Sequence, residues 1–460
     1  MCLELTDSGF HHTVLSEFRT RLIAGGAEAL ILEQLLKLCQ ARGWLKSRMR
    51  TRTDSTHVLG AIRAVTRLEC VGETLRAALN TLAVVAPDWL LSNANEEWVK
   101  RYSTRIEDHH QPKSKSKREE LANIYGEDGL QLLNAVFETS SPDWLRQIPT
   151  VEILRRVWIQ QYYLDGDRLR WRTAQEIPPA SVMISSPYDP DAHYAKKHTT
   201  TWVGYKVHLT ETCESNQPHL ITHVETTSAP ITDDRATPAI HKSLKSKDLL
   251  PSQHIVDTGY LDAELLAITE QQYGVELIGP TRNDYHWQSQ AGKGFAAANF
   301  SVDWLQQSVT CPEGKISSSW SPAVDKWGNK VVKIKFASSD CAVCPSLTFC
   351  TRSKRKRRTV TLRHQPHYQA LQAARQRETT TKFKEEYARR AGIEGTMSEG
   401  VRVHHLRRTR YVGLKKTHLQ HLMTAVGINL KRLFNWLIGI PLATTRISRY
   451  SQLVANSTAS

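Results

Sequence analysis

The chain has 460 residues, of which 40% are hydrophobic, so it is too long for one simple core and we expect two or three modules. Its 61 Lys and Arg outnumber its 46 Asp and Glu, giving a net charge of +15, and such a surplus in clusters favours a polyanionic partner such as nucleic acid. No apolar run reaches the roughly 18 residues of a membrane-spanning helix, and no basic segment leads into an apolar one at the start, so we predict a cytoplasmic protein without a membrane partner.

The first 50 residues are predicted to be helical, because leucines recur at helical spacing between Leu30 and Leu38. Residues 51–58 then form a short run rich in β-branched side chains, which is typical of a strand. This run places Asp54 on a strand as a candidate functional carboxylate. The alternative is that Asp54 caps a helix beginning near Leu59.

Residues 59–185 are predicted to be a helical insertion. Leucines again recur at helical spacing, and prolines at Pro87 and Pro142 mark breaks. A polar basic link at residues 113–118 interrupts it. We interpret the link as a solvated loop rather than a specific DNA contact.

Residues 186–285 are predicted to form a mixed α/β core. Strands at 201–212 and 219–227 precede a helix at 233–245 and a further strand at 275–280. Between these, residues 253–256 form an apolar strand that leads through Asp257 into the turn at Gly259. An α/β fold presents an acid at the carboxyl edge of its sheet in this way, although the same pattern also suits a turn former or a helix cap.

Residues 286–365 hold half of the eight cysteines of the chain. In a reducing compartment their spacing indicates metal binding rather than disulfides. The pattern fits a four-thiolate zinc site, the alternative being unliganded cysteines; its residues are Cys311, Cys341, Cys344 and Cys350. The basic run at 351–358 follows directly and predicts contact with a phosphate backbone; its last five residues are Lys354, Arg355, Lys356, Arg357 and Arg358.

Residues 366–440 are predicted to be helical, and 441–460 form a tail. Tyr387, Arg390 and Glu394 share one face of a helix because their offsets are 0, 3 and 7. Taken locally, the Arg and Glu would be a surface ion pair. Gly392 and Gly395 flank the Glu and predict close approach of another backbone or a ligand. A run without acidic residues follows and includes Arg402, Arg407 and Arg408.

Three carboxylates, Asp54, Asp257 and Glu394, form a candidate site for two Mg²⁺ or Mn²⁺ ions, which prefer oxygen ligands. Such a pair activates a water or a 3′-hydroxyl and stabilises the departing oxygen of a phosphodiester. Arg390 is a candidate phosphate clamp. Asp189 and Asp191 also precede a strand and compete with Asp54 on spacing alone, but their Asp-Pro-Asp context favours a turn.

Five motifs in order resemble those of the DDE transposases of bacterial insertion sequences, over about residues 1–437. The motifs are RTDSTHV around Asp54, SPYDPDAHYAKK, TTWVGYKVHLTET, HIVDTGY around Asp257, and Tyr387-x2-Arg390-x3-Glu394. The family has a further Lys seven residues after the Glu. Val401 occupies that position here, and the adjacent Arg402 is the candidate replacement.

The resemblance implies a ribonuclease H-like mixed sheet, with a helical insertion after the first strand and the cysteine-containing, zinc-ribbon-like insertion before the last catalytic helix. It implies a DDE triad at Asp54, Asp257 and Glu394, divalent metal, and cleavage and joining of transposon ends. The expected partners are double-stranded DNA, as transposon ends and target, and a second copy of the chain in a synaptic homodimer. Similar transposases have a further helical segment upstream, so the N-terminal region 1–50 is expected to be truncated.

Two other functions are compatible with these residues. A zinc-containing DNA-binding remnant, or a repressor of the parent element, would have the same cysteines and basic residues but cut nothing. A metal-dependent nuclease of the same fold would hydrolyse DNA without joining strands. Replacing Asp257 by Ala separates the transposase from the silent binding protein, because only the transposase would lose cleavage while retaining DNA affinity.

Overall fold

The computed structural model describes residues 9–441 and 449. The predicted N-terminal region therefore lacks a description of residues 1–8, and nearly all of the predicted tail 441–460 lies outside the described residues. Among the helices that are described, none is long and apolar enough to cross a lipid bilayer. The chain opens with α1 (His12–Ala24) and α2 (Leu30–Ala41), and β1 (Thr51–Leu59) follows. Helix α2 turns Leu32 and Leu36 into the main core.

The segment after β1 folds into a helical module with a core of its own. Its elements are α3 (Arg67–Val85), α4 (Pro87–Asn93), α5 (Glu96–Tyr102), α6 (Lys115–Phe137), α7 (Pro149–Gln161), β2 (Tyr162–Asp165) and β3 (Arg168–Trp171). Gly129 on α6 permits close packing against α7, because a Cβ there would overlap the Trp158 indole. The hairpin β2–β3 was not anticipated from the sequence.

The basic link predicted as a loop at 113–118 is wrong for most of its length. Residues 115–118 form the first turn of α6, and Ser114 caps that turn by accepting the Lys117 N–H at 3.4 Å. Serine at an N-cap satisfies one of the free N–H groups at a helix start, and this favours helix over loop. Lys115 and Lys117 are exposed, so the solvated character of the link is unchanged.

A mixed sheet of six strands forms the centre of the molecule, and the fold is mixed α/β. The elements that complete it are β4 (His193–Lys197), β5 (Thr200–Thr212), β6 (Ile221–Ser228), α8 (Asp233–Ser246), β7 (Gln253–Ile255), α9 (Ala263–Tyr273) and β8 (Glu276–Ile278). The strand order is β4-β5-β1-β7-β8, with β6 paired to β5. Strand β1 is antiparallel to β5 and parallel to β7, which in turn is parallel to β8.

The helical module leaves and rejoins the central sheet at neighbouring points. Gly60 donates its N–H to the Val203 carbonyl at 3.0 Å. A Cβ on Gly60 would lie 3.5 Å from the Cβ of Ala192, just before β4. The two ends of the module are therefore adjacent in space.

The cysteine-containing segment is richer in strands than its polar sequence suggested. It contains α10 (Trp287–Ala291), β9 (Ser301–Asp303), β10 (Ser308–Thr310), β11 (Ser319–Val324), β12 (Lys330–Lys335), α11 (Ser338–Ala342), α12 (Leu347–Cys350) and β13 (Thr359–Arg363). Strands β9 and β10 pair with each other, and β11, β12 and β13 form a three-stranded sheet. Phe336 and Ile334 belong to a small separate core beneath it.

The C-terminal region consists of α13 (Gln365–Glu378), α14 (Thr381–Ala388), α15 (Ala391–Val403) and α16 (Leu414–Leu437). The long helical stretch expected from the sequence is thus broken several times. The widest break is at 404–413, which ends at Gly413 with a φ of +94°, a backbone conformation that favours glycine. Helix α15 packs on β1, and α16 packs on β6 and α2.

Candidate active site

Asp54 lies on β1, and Asp257 follows the neighbouring parallel strand β7. Thr51 and Arg52 of β1 pair with His254 and Ile255 of β7, and the same register continued by two residues places Asp54 opposite Asp257. Asp54 accepts the Ser55 N–H at 2.8 Å. Asp257 lies just beyond β7 and accepts the Gly259 N–H at 2.8 Å, so it also caps the short 3₁₀ turn that follows.

Arg390 connects the first acid to the third. Its Nη2 lies 3.0 Å from Asp54 Oδ2, and its Nη1 lies 3.3 Å from Glu394 Oε1. The Asp54 side chain is 18% exposed and that of Glu394 is 68% exposed, so Glu394 reaches in from solvent. One guanidinium thus joins an acid on the first strand to an acid on α15.

The spacing predicted that Tyr387, Arg390 and Glu394 lie on one continuous helix. In the structure they do not. Tyr387 is in the last turn of α14, Glu394 is in the first turn of α15, and Arg390 lies between the two helices. The junction tightens to i→i−3 hydrogen bonds, from Arg390 N–H to Tyr387 O at 2.9 Å and from Ile393 N–H to Arg390 O at 3.0 Å. Arg390 still has right-handed helical dihedrals, so the three side chains stay on one side.

The carboxylates influence one another and their neighbours electrostatically. Burial raises the pKa of Asp54, the guanidinium of Arg390 lowers it, and the nearby Asp257 raises it again. Burial also raises the pKa of Tyr387; Arg390 opposes this shift, and the carboxylates of Asp257, Asp54 and Glu394 add to it. These couplings place Tyr387 beside all three acids.

A buried ion-pair network behind the acids holds the α14–α15 junction against the sheet. Arg52 on β1 donates to Glu211 Oε1 at 2.7 Å and to the Arg389 carbonyl at 2.5 Å. Glu211 on β5 is fully buried and also accepts from Thr396 at 2.6 Å and Arg432 at 2.7 Å. Ion pairs and hydrogen bonds therefore connect strands β1 and β5 to helices α15 and α16.

The two glycines beside Glu394 have different surroundings. A Cβ on Gly392 would overlap the Arg52 guanidinium, whereas a Cβ on Gly395 would meet nothing within 4 Å. Close approach was predicted for both. At Gly392 a side chain, that of Arg52, approaches rather than a backbone or a ligand. Gly395 faces open space, and approach of a ligand there stays a prediction.

The two competing acids have other partners. Asp189 is fully buried, and the Tyr205 hydroxyl lies 2.7 Å from both of its oxygens. Asp191 accepts the Leu414 N–H at 3.1 Å. These contacts engage both side chains in holding the turn and the start of α16.

Comparison with protein families gives a match at residues 310–434, to the model described as "Transposase DDE domain". This segment belongs to the transposase DDE family. The matched segment contains Tyr387, Arg390, Glu394 and four of the cysteines. Asp54 and Asp257 lie outside it. Searches of curated proteins and of solved structures gave no match.

Behind Asp54 and Asp257 lies a polar group that sequence reasoning missed. Asp233, in the first turn of α8, accepts from Lys206 at 2.9 Å and from Ser55 at 3.3 Å. A Cβ on Gly259 would lie 3.0 Å from both Asp233 Oδ2 and Asp257 Oδ1. An Asp pair at the start of the helix was visible in the sequence, but it reads equally well as first-turn acids that favour a helix N-terminus.

The basic residues predicted to contact DNA divide between two places. Residues 407 and 408 run beside the end of β1: Leu59 donates its N–H to the Arg407 carbonyl at 2.8 Å, and Arg407 Nε donates to Thr56 Oγ1 at 2.9 Å. Arg402 and Arg408 are exposed in the same region. Residues 354–358 belong instead to the cysteine-containing segment, in the loop between α12 and β13.

Cys311, Cys341, Cys344 and Cys350 line one small cavity of about 30 Å³. Burial raises the pKa of Cys350 to about 11, and Arg358 opposes this shift while the other three thiols add to it. All four are free thiols. The structure thus brings together the four cysteines that the spacing grouped.

The donor set at the three acids suits hard divalent cations, because carboxylate oxygens are the ligands that Mg²⁺ and Mn²⁺ prefer. The positive guanidinium of Arg390, placed between Asp54 and Glu394, occupies a position that attracts a cation. Among the described residues, the group of three with ligand atoms within 4.8 Å of one another is Glu107, His109 and His110, on the helical module. The three acids are spaced more widely, with Arg390 between two of them.

One open cleft lies away from the acids. It has a volume of about 520 Å³ and is lined by residues that include Arg282, Arg363 and Arg375. None of the three carboxylates lines it. Because nucleic-acid substrates are held largely through their exposed phosphate backbone, the carboxylate arrangement rather than this cleft is the candidate active site.

Proposed function

We propose that the chain is a DDE transposase that cleaves DNA strands at the ends of an insertion sequence and joins them to a target. In this proposal Asp54, Asp257 and Glu394 hold two Mg²⁺ or Mn²⁺ ions. The observation that carries it is the Arg390 guanidinium, which joins Asp54 to Glu394 across strands and helices far apart in the chain. The parallel register of β1 and β7 also puts Asp257 beside Asp54. A simple surface ion pair between Arg390 and Glu394 would not require that arrangement.

The strand order supports a ribonuclease H-like core for this site. The first strand lies in the middle of the sheet, with the antiparallel β5 and β6 on one side and the parallel β7 and β8 on the other. The proposed acids then come from β1, from the end of β7 and from α15. Rigid strands give the first two acids fixed positions, which is what a positioned phosphodiester requires.

When bound, two divalent ions activate the attacking water or 3′-hydroxyl and stabilise the leaving oxygen. The side chains of the protein do the rest. Asp54 and Asp257 orient the site, and the more exposed Glu394 closes it from the helix. Arg390, released from the carboxylates, binds a phosphate oxygen because its planar fork matches phosphate geometry. Tyr387 stays protonated and offers a hydrogen-bond donor.

The proposed partners follow from charge. The net charge of +15 and the exposed Arg402, Arg407 and Arg408 near the end of β1 suit double-stranded DNA, whose phosphates release counterions on binding. We propose that the chain acts as a homodimer that pairs two transposon ends, in the cytoplasm. Arg402 takes the place of the basic residue that the resemblance implies about two helical turns beyond Glu394.

The test is cleavage of a labelled DNA fragment that ends in the terminal repeats of the element, with Mg²⁺ or Mn²⁺. The variants are Asp257→Asn, which keeps an acceptor for the Gly259 N–H, and Asp165→Asn on the exposed hairpin as a control. We expect the intact chain and the control to cut and Asp257→Asn to bind without cutting. Equal cleavage by Asp257→Asn would refute the catalytic assignment.

The products distinguish the remaining functions. Transfer of the cut end to a second DNA fragment supports the transposase, whereas cleavage with only hydrolysed ends indicates a nuclease. If no protein cuts but all bind DNA, the chain is a silent DNA-binding protein or a repressor of its parent element. The homodimer is tested by measuring the stoichiometry of the protein–DNA complex, for which we expect two protein chains per complex.

A further inference from the structure

The four cysteines converge from three separate segments. Cys311 follows β10, Cys341 is in α11 with Cys344 just beyond it, and Cys350 ends α12. The cavity that they line, about 30 Å³, exceeds the space that one water-sized species needs. The other described cysteines, Cys39, Cys70 and Cys213, are buried elsewhere.

The backbone around two of these cysteines is folded into tight turns. Gly314 donates its N–H to the Cys311 carbonyl at 2.8 Å, and the Lys315 N–H points at the Cys311 sulfur at 3.3 Å. Cys344 likewise donates its N–H to the Cys341 carbonyl at 3.2 Å. A backbone N–H directed at a sulfur stabilises the thiolate that a metal requires.

We propose that these four thiolates bind one structural Zn²⁺ ion, which fixes the adjacent basic loop, residues 351–358, for contact with the DNA backbone. Zinc suits four sulfur ligands at about 2.3 Å in a tetrahedral arrangement. That arrangement places neighbouring sulfurs about 3.8 Å apart. No three of the four sulfurs lie within 4.8 Å of one another among the described residues, so binding draws them inward around the cavity.

The basic loop is attached to this centre at both ends. It begins directly after Cys350, and Arg358 at its other end donates to the Cys350 carbonyl at 2.9 Å. Thr351 Oγ1 also donates to the Arg357 carbonyl at 3.2 Å. A change in the position of Cys350 is therefore transmitted to both ends of the loop.

The charges are complementary. Four thiolates around a dication have a net charge of about −2, and the half-buried Arg358 lines the same cavity. Arg352, Lys354, Arg355 and Lys356 are exposed on the loop. Arg358 thus offsets the negative charge of the zinc site, while the exposed basic residues remain available for phosphates. The DNA contact rests on the proposed function, but the zinc site does not.

The first experiment measures zinc in the purified full-length chain. We expect one Zn²⁺ per chain, and visible absorption of tetrahedral thiolate-bound Co²⁺ after replacement of the zinc by cobalt. Cys341→Ser and Cys344→Ser should lose the metal, and Cys39→Ala, at a buried cysteine elsewhere, should keep it. Absence of zinc from the intact chain, with no cobalt absorption on reconstitution, would overturn the site; so would equal zinc in the Ser variants.

The second experiment measures binding to a DNA duplex of arbitrary sequence over a range of salt concentrations. Lys354→Ala with Arg355→Ala should retain zinc and reduce the salt slope by about 2, one unit for each lost phosphate contact. Removal of zinc by a chelator should weaken DNA binding about as much as the two substitutions do, and added Zn²⁺ should restore the binding. Unchanged DNA binding in the zinc-free chain would overturn the role of the metal in ordering the loop.

These results remain interpretable if the cleavage test fails. A silent chain that contains zinc and loses DNA affinity with it supports this inference and refutes only the catalytic proposal. A chain that cuts DNA but contains no zinc supports the catalytic proposal and refutes this one.

Discussion

The guanidinium of Arg52 donates to the main-chain carbonyl of Arg389 at 2.5 Å, so strand β1 is hydrogen-bonded to the backbone at the junction of α14 and α15. The same strand contains Asp54, and the same junction contains Arg390 and leads to Glu394. This side chain therefore helps to hold the strand acid and the helix acid at their observed separation. The consequences of disturbing this arrangement can be measured.

Glu211→Ala should destabilise the fold strongly. It leaves the buried Arg52 and Arg432 without their shared carboxylate, and removing one partner of a buried ion pair costs about 3–5 kcal/mol. Urea unfolding measures the change. Glu214→Ala is the matched control, because it breaks a more exposed pair with Arg50 and should cost about 1 kcal/mol or less. Equal losses in the two variants would contradict the importance of the buried network.

Gly392→Ala and Gly395→Ala should have opposite effects although the glycines are three residues apart. A Cβ at Gly392 displaces the Arg52 guanidinium, so we expect lower stability and reduced strand cleavage. A Cβ at Gly395 meets open space, and Ala gains up to ~1 kcal/mol over Gly in a helix. Thermal unfolding midpoints decide the matter. A stabilised Gly392→Ala protein would show that Arg52 does not need that space.

Arg390→Gln should reduce cleavage on the order of 10²–10³-fold, the effect of removing one preorganised group that stabilises charge. It should also raise the pKa of Asp54 further, because Arg390 is the group that lowers it. Single-turnover cleavage as a function of pH measures both effects. Arg389→Gln is the control, since Arg52 contacts only the backbone carbonyl there. An Arg390→Gln protein with normal rates would remove the guanidinium from the proposed mechanism.

Acid should destabilise the fold through a buried histidine. Burial lowers the pKa of His421 from 6.5 to about 3, and His418 adds to this. Above pH 6.5 His421 is neutral in both the folded and the unfolded chain, so its contribution to the free energy of unfolding is complete there. Below pH 6.5 the unfolded chain binds a proton first, so stability falls by up to ~1.4 kcal/mol per pH unit until the native residue is protonated.

His421→Gln should accordingly reduce the difference in unfolding free energy between pH 7 and pH 5 by about 2 kcal/mol. Urea unfolding at the two pH values measures it, irrespective of any change at neutral pH from the lost contact with Thr226. An identical pH difference in the variant and the intact chain would show that another group causes the acid sensitivity.

The sequence was informative where the pattern is local. Strand β1 and the turn after Asp257 depend on β-branched and glycine residues within a few positions, and the structure has both. The break between α14 and α15 was not predictable, because the Arg389 carbonyl there accepts a hydrogen bond from Arg52, more than three hundred positions earlier. The fully buried Glu211 was also missed, since its partners come from β1, α15 and α16.

Local patterns also misled. A run of lysines and serines at 113–118 was taken for a loop, but Ser114 caps a helix there. Helical spacing put Tyr387, Arg390 and Glu394 on one helix, whereas the structure keeps their side together through two helices and a tight junction. Patterns within one element therefore located the candidate residues, and contacts between elements determine how they meet.

The proximity of Gly60 and Ala192 means that the helical module is inserted between two neighbouring points of the central sheet, where Asp189 and Asp191 add contacts to Tyr205 and Leu414. The elements from α3 to β3 could be replaced by a short connection that retains Asp189 and Asp191, without rerouting β1 or β4. Such a module can be gained, lost or exchanged as one piece, and its surface can diversify while the carboxylate scaffold keeps its geometry. The scaffold and its appendage are thus separable parts for protein engineering.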